Sequence, residues 1–230
     1  MQLYLIRHGQ AGSRDNYDLL SELGRSQAHL LGKYFRSAGI SFRAAYAGSM
    51  RRQQETAEIV LGEMPNPPEI RTDSRWNEFS LEGLWKTLAP RLLLESEPFA
   101  RDYRELHAVN PNIDRVMTSC DVELIRAWMR NHHPCEDVEP WTEFRSRVEA
   151  PRPELAGYGP GESVAVFTSA TPTAVWCGSA LEVEDRKVFH IAGVLCNTSF
   201  STLRLRENEL TLFSLNNLPH LRDASLRTFR

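Results

Sequence analysis

Short apolar runs alternate along the chain with segments of helical periodicity. The first run, residues 2–6, is rich in strand-forming side chains and leads into polar residues and a glycine, which is typical of a buried strand in a parallel sheet. Apolar residues then recur at near-helical spacing over 23–35, which predicts a helix with Ser21 as its N-cap and Gly39 at its end. The next apolar run, over 42–47, predicts a second strand. A strand, a helix and a strand in this order form a βαβ unit.

A similar alternation returns in the last third of the chain. Residues 163–167 form another apolar run, and the segment after it predicts a helix whose first turn includes Pro172. From 182 onward apolar and polar residues alternate, and the segments 198–205 and 210–213 predict a hairpin or two adjacent antiparallel edge strands. Together these elements predict an α/β protein, a three-layer sandwich in which helices flank a mostly parallel central sheet.

The middle of the chain has a different pattern. Apolar residues recur at helical spacing over 84–157, and Pro151 and Pro153 interrupt the last of these segments. Because the sequence contains no internal repeat and no convincing linker, this stretch predicts a helical insertion in a single domain over 1–230. The last residues, 222–230, are expected to form a frayed tail.

Composition narrows the possible functions. The chain has 230 residues, 41% of them hydrophobic, which is enough for a sizeable core. Its net charge of −3 gives no support to a nucleic acid or a membrane surface as partner. The four cysteines include no C-x-x-C pair, and no apolar run approaches the length of a signal peptide or a transmembrane helix. We therefore expect a cytoplasmic protein. Its oligomeric state is left open, with a homodimer as one option.

The end of the first strand carries the first candidate chemistry. Arg7, His8 and Gly9 follow the apolar run directly, and ligands of parallel sheets bind beyond the carboxyl ends of the strands. Arginine offers planar, permanently charged donors that suit a phosphate, and a neutral histidine can attack phosphorus. Gly9 would let the main chain approach the anion and adopt backbone angles closed to other residues. The alternative is a strand that ends in a solvated Arg-His pair.

The end of the second strand adds further cations. Arg51 and Arg52 would lie in the first turn of the helix that follows, where the helix dipole disfavours positive charge. An anion bound at the same place would explain them. The alternative is a pair of solvated arginines on the helix surface.

Taken in order, these motifs resemble the histidine phosphatase (phosphoglycerate mutase-like) superfamily. The likeness covers nearly the whole chain and rests on four stretches: Arg7-His8-Gly9, Asp18-x-x-Ser21-x-x-Gly24-x-x-Gln27-Ala28, Arg52-x-x-x-Thr56-Ala57 and Trp76-Asn77-Glu78. The resemblance implies that the inserted helices form a cap over the pocket. It also implies a small phosphorylated substrate and a reaction that needs neither a metal nor another cofactor.

The resemblance also implies roles for individual residues. His8 would be the nucleophile that becomes phosphorylated, and Arg7 and Arg52 would hold the phosphoryl oxygens. Glu78 would protonate the departing alkoxide, which requires a carboxyl group with a raised pKa. Glu82 is the nearest competitor for this role.

One position departs from the family pattern. Members usually have a second histidine followed by glycine after the strand predicted at 163–167, and this chain has Ser169 and Ala170 there. A hydroxyl and the N–H groups of the next helix can still donate to a phosphate, but a hydroxyl cannot act as a cation. Gln10 and Ser13, in the loop after the first strand, are further candidates to contact the phosphate or the substrate.

These observations favour one function and leave alternatives open. We expect a phosphomonoester hydrolase that acts through a phosphohistidine at His8. A relative that binds a phosphorylated ligand with little or no turnover is the main alternative, because the second histidine is missing; a phosphoglycerate-type mutase is less favoured. A serine hydrolase built on Ser169 would need flanking glycines that this stretch lacks. Residues 132–137 contain ligand-type atoms, but their spacing fits no standard zinc site and predicts a solvated turn.

Overall fold

The chain folds into two compact units. The computed structural model describes residues 1–12, 17–108, 117–131 and 138–229. The larger unit comprises Met1–Glu78 and Arg147–Arg230, and the smaller, helical unit comprises Phe79–Ser146. The predicted insertion over 84–157 overlaps the smaller unit, but the chain returns to the larger one at Arg147. Within the described ranges, no helix combines the length and the apolar character needed to cross a membrane.

The larger unit is built on a mixed β-sheet. Its strands in the described residues are β1 Gln2–Arg7, β2 Ala44–Ala47, β3 Ile70–Thr72, β4 Ser163–Thr168, β5 Phe200–Arg206 and β6 Glu209–Asn217. Their order across the sheet is β3-β2-β4-β1-β5-β6. The first four strands pair in parallel, and β5 and β6 join as an antiparallel hairpin beside β1. The predicted strands and hairpin are confirmed; β3 was not predicted.

Helices surround this sheet and form the smaller unit. The helices of the described residues are α1 Glu22–Ser37, α2 Arg51–Gly62, α3 Leu81–Glu95, α4 Glu97–Ala108, α5 Ser119–Met129, α6 Trp141–Glu149, α7 Arg152–Leu155, α8 Ala170–Ala180 and α9 Asp185–Val194. Ser21 caps α1, as predicted, because its side chain accepts a hydrogen bond from the Gly24 N–H. Helix α9 was not predicted, since only Val188 and Ala192 are buried along it.

Alternation along the strands places helices on both faces of the sheet. Tyr4 and Ile6 of β1 belong to an apolar cluster that includes Leu31 and Phe35 of α1 and residues of α2. Leu3 and Leu5 are also buried, and they point to the opposite face because successive strand side chains alternate. Helix α8 packs against β1, β5 and β6. The predicted three-layer α/β architecture is confirmed.

The C-terminal segment is ordered, so the prediction of a frayed tail is wrong for residues up to Phe229. The Asn197 N–H donates to the Thr228 carbonyl at 2.8 Å. The Gln27 amide donates to the carbonyl of Leu226 at 2.7 Å and to the hydroxyl of Thr228 at 2.9 Å. Gln27 and Asn197 are completely buried, and buried polar groups require partners. The tail supplies those partners.

Candidate active site

The parallel strands bring their carboxyl ends to one edge of the sheet. Strands β1, β2 and β4 end at Arg7, Ala47 and Thr168, and Arg7 lies opposite Thr168 in the register. The His8 N–H continues the ladder by donating to the Thr168 carbonyl at 2.9 Å. His8 and Ser169 therefore follow neighbouring strands side by side.

His8 is held as a neutral imidazole whose Nε2 carries a lone pair. Its Nδ1 lies 2.7 Å from the Gly9 carbonyl, which can only accept, so Nδ1 carries the proton. Arg52 Nε donates to His8 Nε2 at 3.2 Å. Burial and the charges of Arg52 and Arg7 hold the pKa of His8 well below its usual value. The tautomer and the lowered pKa both leave Nε2 unprotonated, as a nucleophile requires.

Arg52 lies in the first turn of α2 and points inward. It is buried, whereas its neighbour Arg51 is exposed, so the two predicted cations have different environments. The Arg52 guanidinium lies 5.1 Å from the centre of the Tyr17 ring. Its Nη1 donates to Asp18 Oδ1 at 3.0 Å. Asp18, which the sequence analysis did not consider as a site residue, therefore holds one end of the guanidinium.

Arg7 is the second buried cation. Its Nη1 donates to the Leu195 carbonyl, and its Nη2 donates to the Phe229 carbonyl at 2.9 Å. Its Nε is buried and has no hydrogen-bond partner among the described residues. Burial is the main cause that lowers the pKa of Arg7. Two backbone carbonyls thus fix the side chain, while its Nε–H remains unused.

Gly9 has a different role from the predicted one. Its φ angle is not positive, and its N–H donates to Thr56 Oγ1 at 3.0 Å, so it does not offer that N–H to an anion. A Cβ on Gly9 would lie 2.5 Å from the Gly24 carbonyl oxygen. Glycine is required because the loop after β1 approaches the backbone of α1 closely.

Gln10 is tied to the start of α1. Its Oε1 accepts from the Ser21 hydroxyl at 2.7 Å, and its N–H donates to Gln27 Oε1 at 2.9 Å. The candidate Ser13 and the segment 132–137 lie outside the described residues.

The two candidate acids occupy different surroundings. Glu78 is half-buried in the larger unit, and its Oε2 accepts from the Thr171 N–H in the first turn of α8 at 3.0 Å. Glu82 is exposed in the first turn of α3, in the smaller unit. Glu78 is therefore anchored two residues from Ser169, at the end of β4.

The sequence analysis did not identify the residues that hold the backbone of Arg7 and His8 in place. Asn197 Nδ2 donates to the His8 carbonyl at 3.2 Å. The Thr198 N–H lies 3.1 Å from the Arg7 carbonyl and 3.2 Å from the His8 carbonyl, with φ of +55°. His220 Nε2 lies 2.9 Å from Thr198 Oγ1. The only signal in the sequence is a group of polar residues beside predicted strands, which is too weak to identify them.

The fold and the site together define a class of protein. A mixed sheet carries a neutral histidine and two buried arginines at the carboxyl ends of its parallel strands, an arrangement suited to a phosphoryl group. A family model for the histidine phosphatase superfamily (branch 1) matches residues 3–112. The match spans 110 of the 230 residues, so just under half of the chain is similar to this superfamily.

Individual proteins are similar to comparable lengths of the chain. The chain is similar to the mitochondrial serine/threonine-protein phosphatase Pgam5 of Caenorhabditis elegans, with 31% identity over 117 residues, which are 48% of this chain and 41% of the relative. It is also similar to the 2,3-bisphosphoglycerate-dependent phosphoglycerate mutase of Azorhizobium caulinodans, with 30% identity over 60% of this chain and 57% of the mutase. The chain therefore matches only about half the length of these relatives.

Solved structures share the fold over nearly the whole chain. The alpha-ribazole phosphatase of Shigella flexneri has a TM-score of 0.62 and 19% identity, and the match covers 94% of this chain and 96% of that one. At this identity the likeness shows the fold alone.

Proposed function

We propose that this protein hydrolyses phosphomonoesters of small metabolites through a phosphohistidine at His8, without a metal ion. The observation that carries the proposal is the hydrogen bonding of the His8 ring. Nδ1 donates its proton to the Gly9 carbonyl and Nε2 accepts from Arg52, so a neutral nucleophile stands at the end of β1. A cytoplasmic location remains a prediction of the sequence.

The surrounding cations favour a phosphoryl dianion as the ligand. Arg7 and Arg52 are both buried, and a buried charge is costly unless an opposite charge or hydrogen bonds compensate it. A phosphoryl oxygen could accept a hydrogen bond from the Nε–H of Arg7, which has no partner among the described residues. It could also accept one from the Nε–H of Arg52, which donates to His8 Nε2 in this structure. Two guanidiniums can neutralise the equatorial oxygens in the transition state.

The proposed reaction has two steps. In the first, His8 Nε2 forms a bond to phosphorus as the bond from phosphorus to the leaving oxygen breaks, and Glu78 gives that oxygen a proton. In the second, water attacks phosphorus, the Glu78 carboxylate takes a proton from the water, and the bond from phosphorus to nitrogen breaks. Inorganic phosphate leaves, and both residues return to their starting states.

Trapping of the phosphoenzyme tests the nucleophile. Rapid quenching in alkaline detergent, after wild-type protein is mixed with a ³²P-labelled monoester, should yield label on the protein that survives alkali and is lost in acid. His8→Ala should abolish both the label and turnover, whereas His29→Ala, which changes an exposed histidine, should retain both. Turnover that persists unchanged in His8→Ala would reject the mechanism.

Leaving-group dependence tests the acid. Protonation matters little for a nitrophenolate but greatly for an alkoxide. Glu78→Gln should therefore lower kcat by about a hundredfold on an alkyl phosphate and far less on p-nitrophenyl phosphate. Glu82→Gln should leave both rates within about twofold. The reverse pattern would assign the acid to Glu82.

A phosphate-binding protein with little turnover is the second candidate. It is favoured by Ser169, which the resemblance places where the family has its second histidine, because a hydroxyl cannot act as a cation. Binding of inorganic phosphate by calorimetry, without phosphoenzyme on any monoester tested, would support this candidate. Transfer of the label to an acceptor hydroxyl rather than to water would instead indicate the less favoured mutase.

A further inference from the structure

The side chain of Gln53 reaches Ser169 from α2. Gln53 follows Arg52 and is completely buried. Its Nε2 donates to Ser169 Oγ at 2.9 Å and to the Trp76 carbonyl at 3.3 Å. The sequence analysis did not consider this residue.

The Trp76 carbonyl determines which way the Gln53 amide faces. A carbonyl can only accept a hydrogen bond, so the end of the amide that faces both Trp76 and Ser169 must be the NH₂ group. Ser169 Oγ therefore accepts from Gln53, and its own proton is left for another acceptor. Among the hydrogen bonds of the described residues, none has the Ser169 hydroxyl as donor. Although Ser169 is the N-cap of α8, its side chain makes no capping bond.

The Gln53 amide keeps this orientation although its oxygen atom accepts no hydrogen bond from the described residues. Its Oε1 is buried and has no partner among the described residues. A Cβ on Gly48 would collide with that oxygen, so the glycine makes room for the amide. A buried carbonyl without a partner is unusual in a folded protein. A function of the NH₂ end of the Gln53 amide would explain why this one is retained.

The Ser169 hydroxyl lies at the same sheet edge as the proposed nucleophile. Arg7 and Thr168 are paired in the parallel register, so His8 and Ser169 are the next residues on adjacent strands. Arg52, which precedes Gln53, contacts His8 Nε2. The Arg52–His8 pair thus joins the end of β1 to α2. The Gln53–Ser169 pair joins the end of the adjacent strand β4 to the next residue of α2.

We propose that Gln53 is a positioning residue that holds the Ser169 hydroxyl with its proton directed at a bound phosphoryl oxygen. The pair supplies a neutral hydrogen-bond donor where the resembling family places its second histidine. This inference rests on the proposed function, because it takes a phosphoryl group as the acceptor.

A double-mutant cycle tests the proposal. We expect Ser169→Ala to lower kcat by about a hundredfold, as the loss of one transition-state donor does, and to weaken the binding of inorganic phosphate. Gln53→Met keeps the length of the side chain but removes the amide, and should lower kcat by about tenfold. In the Ser169→Ala background, Gln53→Met should cause no further loss.

Gln54→Met is the matched control. Gln54 is the next residue of α2 and donates to the carbonyl of Gly48 at 2.5 Å and to Thr72 Oγ1 at 3.2 Å, away from Ser169. Its replacement should leave kcat and phosphate binding within about twofold of the wild type. Thermal unfolding of all variants separates a loss of function from a loss of fold.

The outcomes distinguish this inference from the proposed function. Equal effects of Gln53→Met in the presence and absence of the Ser169 hydroxyl would overturn it, because Gln53 would then act by another route. Wild-type hydrolysis and phosphate binding that do not change in Ser169→Ala would also overturn it and leave the proposed function standing. A wild type that forms no phosphoenzyme would reject the hydrolytic function, and the phosphate-binding measurements would still decide whether Gln53 and Ser169 act as a pair.

Discussion

His220 is a neutral, buried histidine behind the candidate site. Thr198 Oγ1 donates to the Asn197 carbonyl at 2.7 Å, so the hydroxyl oxygen accepts from His220 Nε2 at 2.9 Å. Nδ1 is then unprotonated, and it is buried without a partner among the described residues. Burial lowers the pKa of His220 to about 4.

This lowered pKa predicts a pH-dependent stability. Between pH values of about 6.5 and 4 the unfolded chain binds a proton at residue 220 that the folded protein does not bind. The free energy of unfolding should therefore fall as the pH decreases through this window, with a contribution from His220 of the order of 3 kcal/mol. His220→Gln keeps a donor for Thr198 and should show a smaller fall between pH 7 and 5 in urea titrations.

His190→Gln is the control for this measurement, because His190 is exposed on α9. It should retain the pH dependence of the wild type. An identical pH dependence in His220→Gln and in the wild type would contradict the account given for His220.

The close approach at Gly9 predicts a second effect of a single residue. Gly9→Ala would bring a Cβ to 2.5 Å from the Gly24 carbonyl oxygen, and such overpacking costs about 1–3 kcal/mol. The loop that carries His8 would also shift, so activity should fall with stability.

Gly62→Ala provides a matched comparison, since a Cβ there would meet no atom within 4 Å and Gly62 ends α2. It should be neutral or stabilising by up to about 1 kcal/mol. Equal losses for the two variants in thermal unfolding would show that contact with α1 does not explain Gly9.

At this scale the sequence could identify the candidate site residues but not the residues that hold them in place. Arg7 and His8 were predicted because ligands of parallel sheets bind beyond the strand ends, and Arg52 because the helix dipole disfavours a cation in a first turn. Gln53 could not be predicted, because its role depends on a contact with Ser169, which lies 116 positions away. The unusual backbone angles expected of Gly9 were wrong, because its φ is not positive, and only the fold reveals that the backbone of α1 lies next to it.

At the scale of elements, the extent to which a strand or helix is buried determines whether its sequence pattern predicts it. Strands β1 and β4 are buried on both faces, so their apolar runs stand out in the sequence. Strand β3 has three residues, two of them exposed, and carries no such signal. Helix α9 buries two residues one turn apart, which is too narrow a stripe to recognise beside alternating neighbours.

The C-terminal segment acts as a support for the loop that carries His8. Gln27 accepts from the Gln10 N–H at 2.9 Å and donates to the Thr228 hydroxyl at 2.9 Å. The same hydroxyl donates to Asn197 Oδ1 at 2.9 Å, and Asn197 donates to the His8 carbonyl. One hydroxyl therefore links both sides of the loop.

Thr228→Val should break this link while it keeps the shape of the side chain. We expect a loss of about 1–3 kcal/mol, because the buried amides of Gln27 and Asn197 lose a partner, together with reduced activity. Thr211→Val, on the exposed side of β6, should change stability by less than about 0.5 kcal/mol. Urea unfolding and the rate on a monoester provide the two measurements. An unchanged free energy of unfolding and an unchanged rate in Thr228→Val would show that the hydrogen bonds of this hydroxyl contribute to neither.

At the scale of the whole molecule, the buried cations make stability depend on anions. A ligand that binds only the folded state at 100 times its Kd stabilises by about 2.7 kcal/mol, which corresponds to a rise in Tm of roughly 5–10 °C for a protein of this size. Inorganic phosphate should produce such a rise, and potassium chloride at equal ionic strength should not.

Arg52→Gln should lose most of this rise, whereas Arg51→Gln, which changes the exposed neighbour on α2, should keep it. Calorimetric scans of the three proteins with increasing phosphate give the comparison. An equal rise in all three would place the anion elsewhere on the protein.

The points where the chain leaves and re-enters the larger unit are fastened to each other. Arg147 Nη1 donates to the Arg75 carbonyl at 2.9 Å and to the Asn77 carbonyl at 3.3 Å. The sheet therefore does not depend on the 68 residues in between, Phe79–Ser146, to bring its two sequence halves together. The smaller unit could therefore be lengthened, shortened or exchanged without separating the two sequence halves of the sheet.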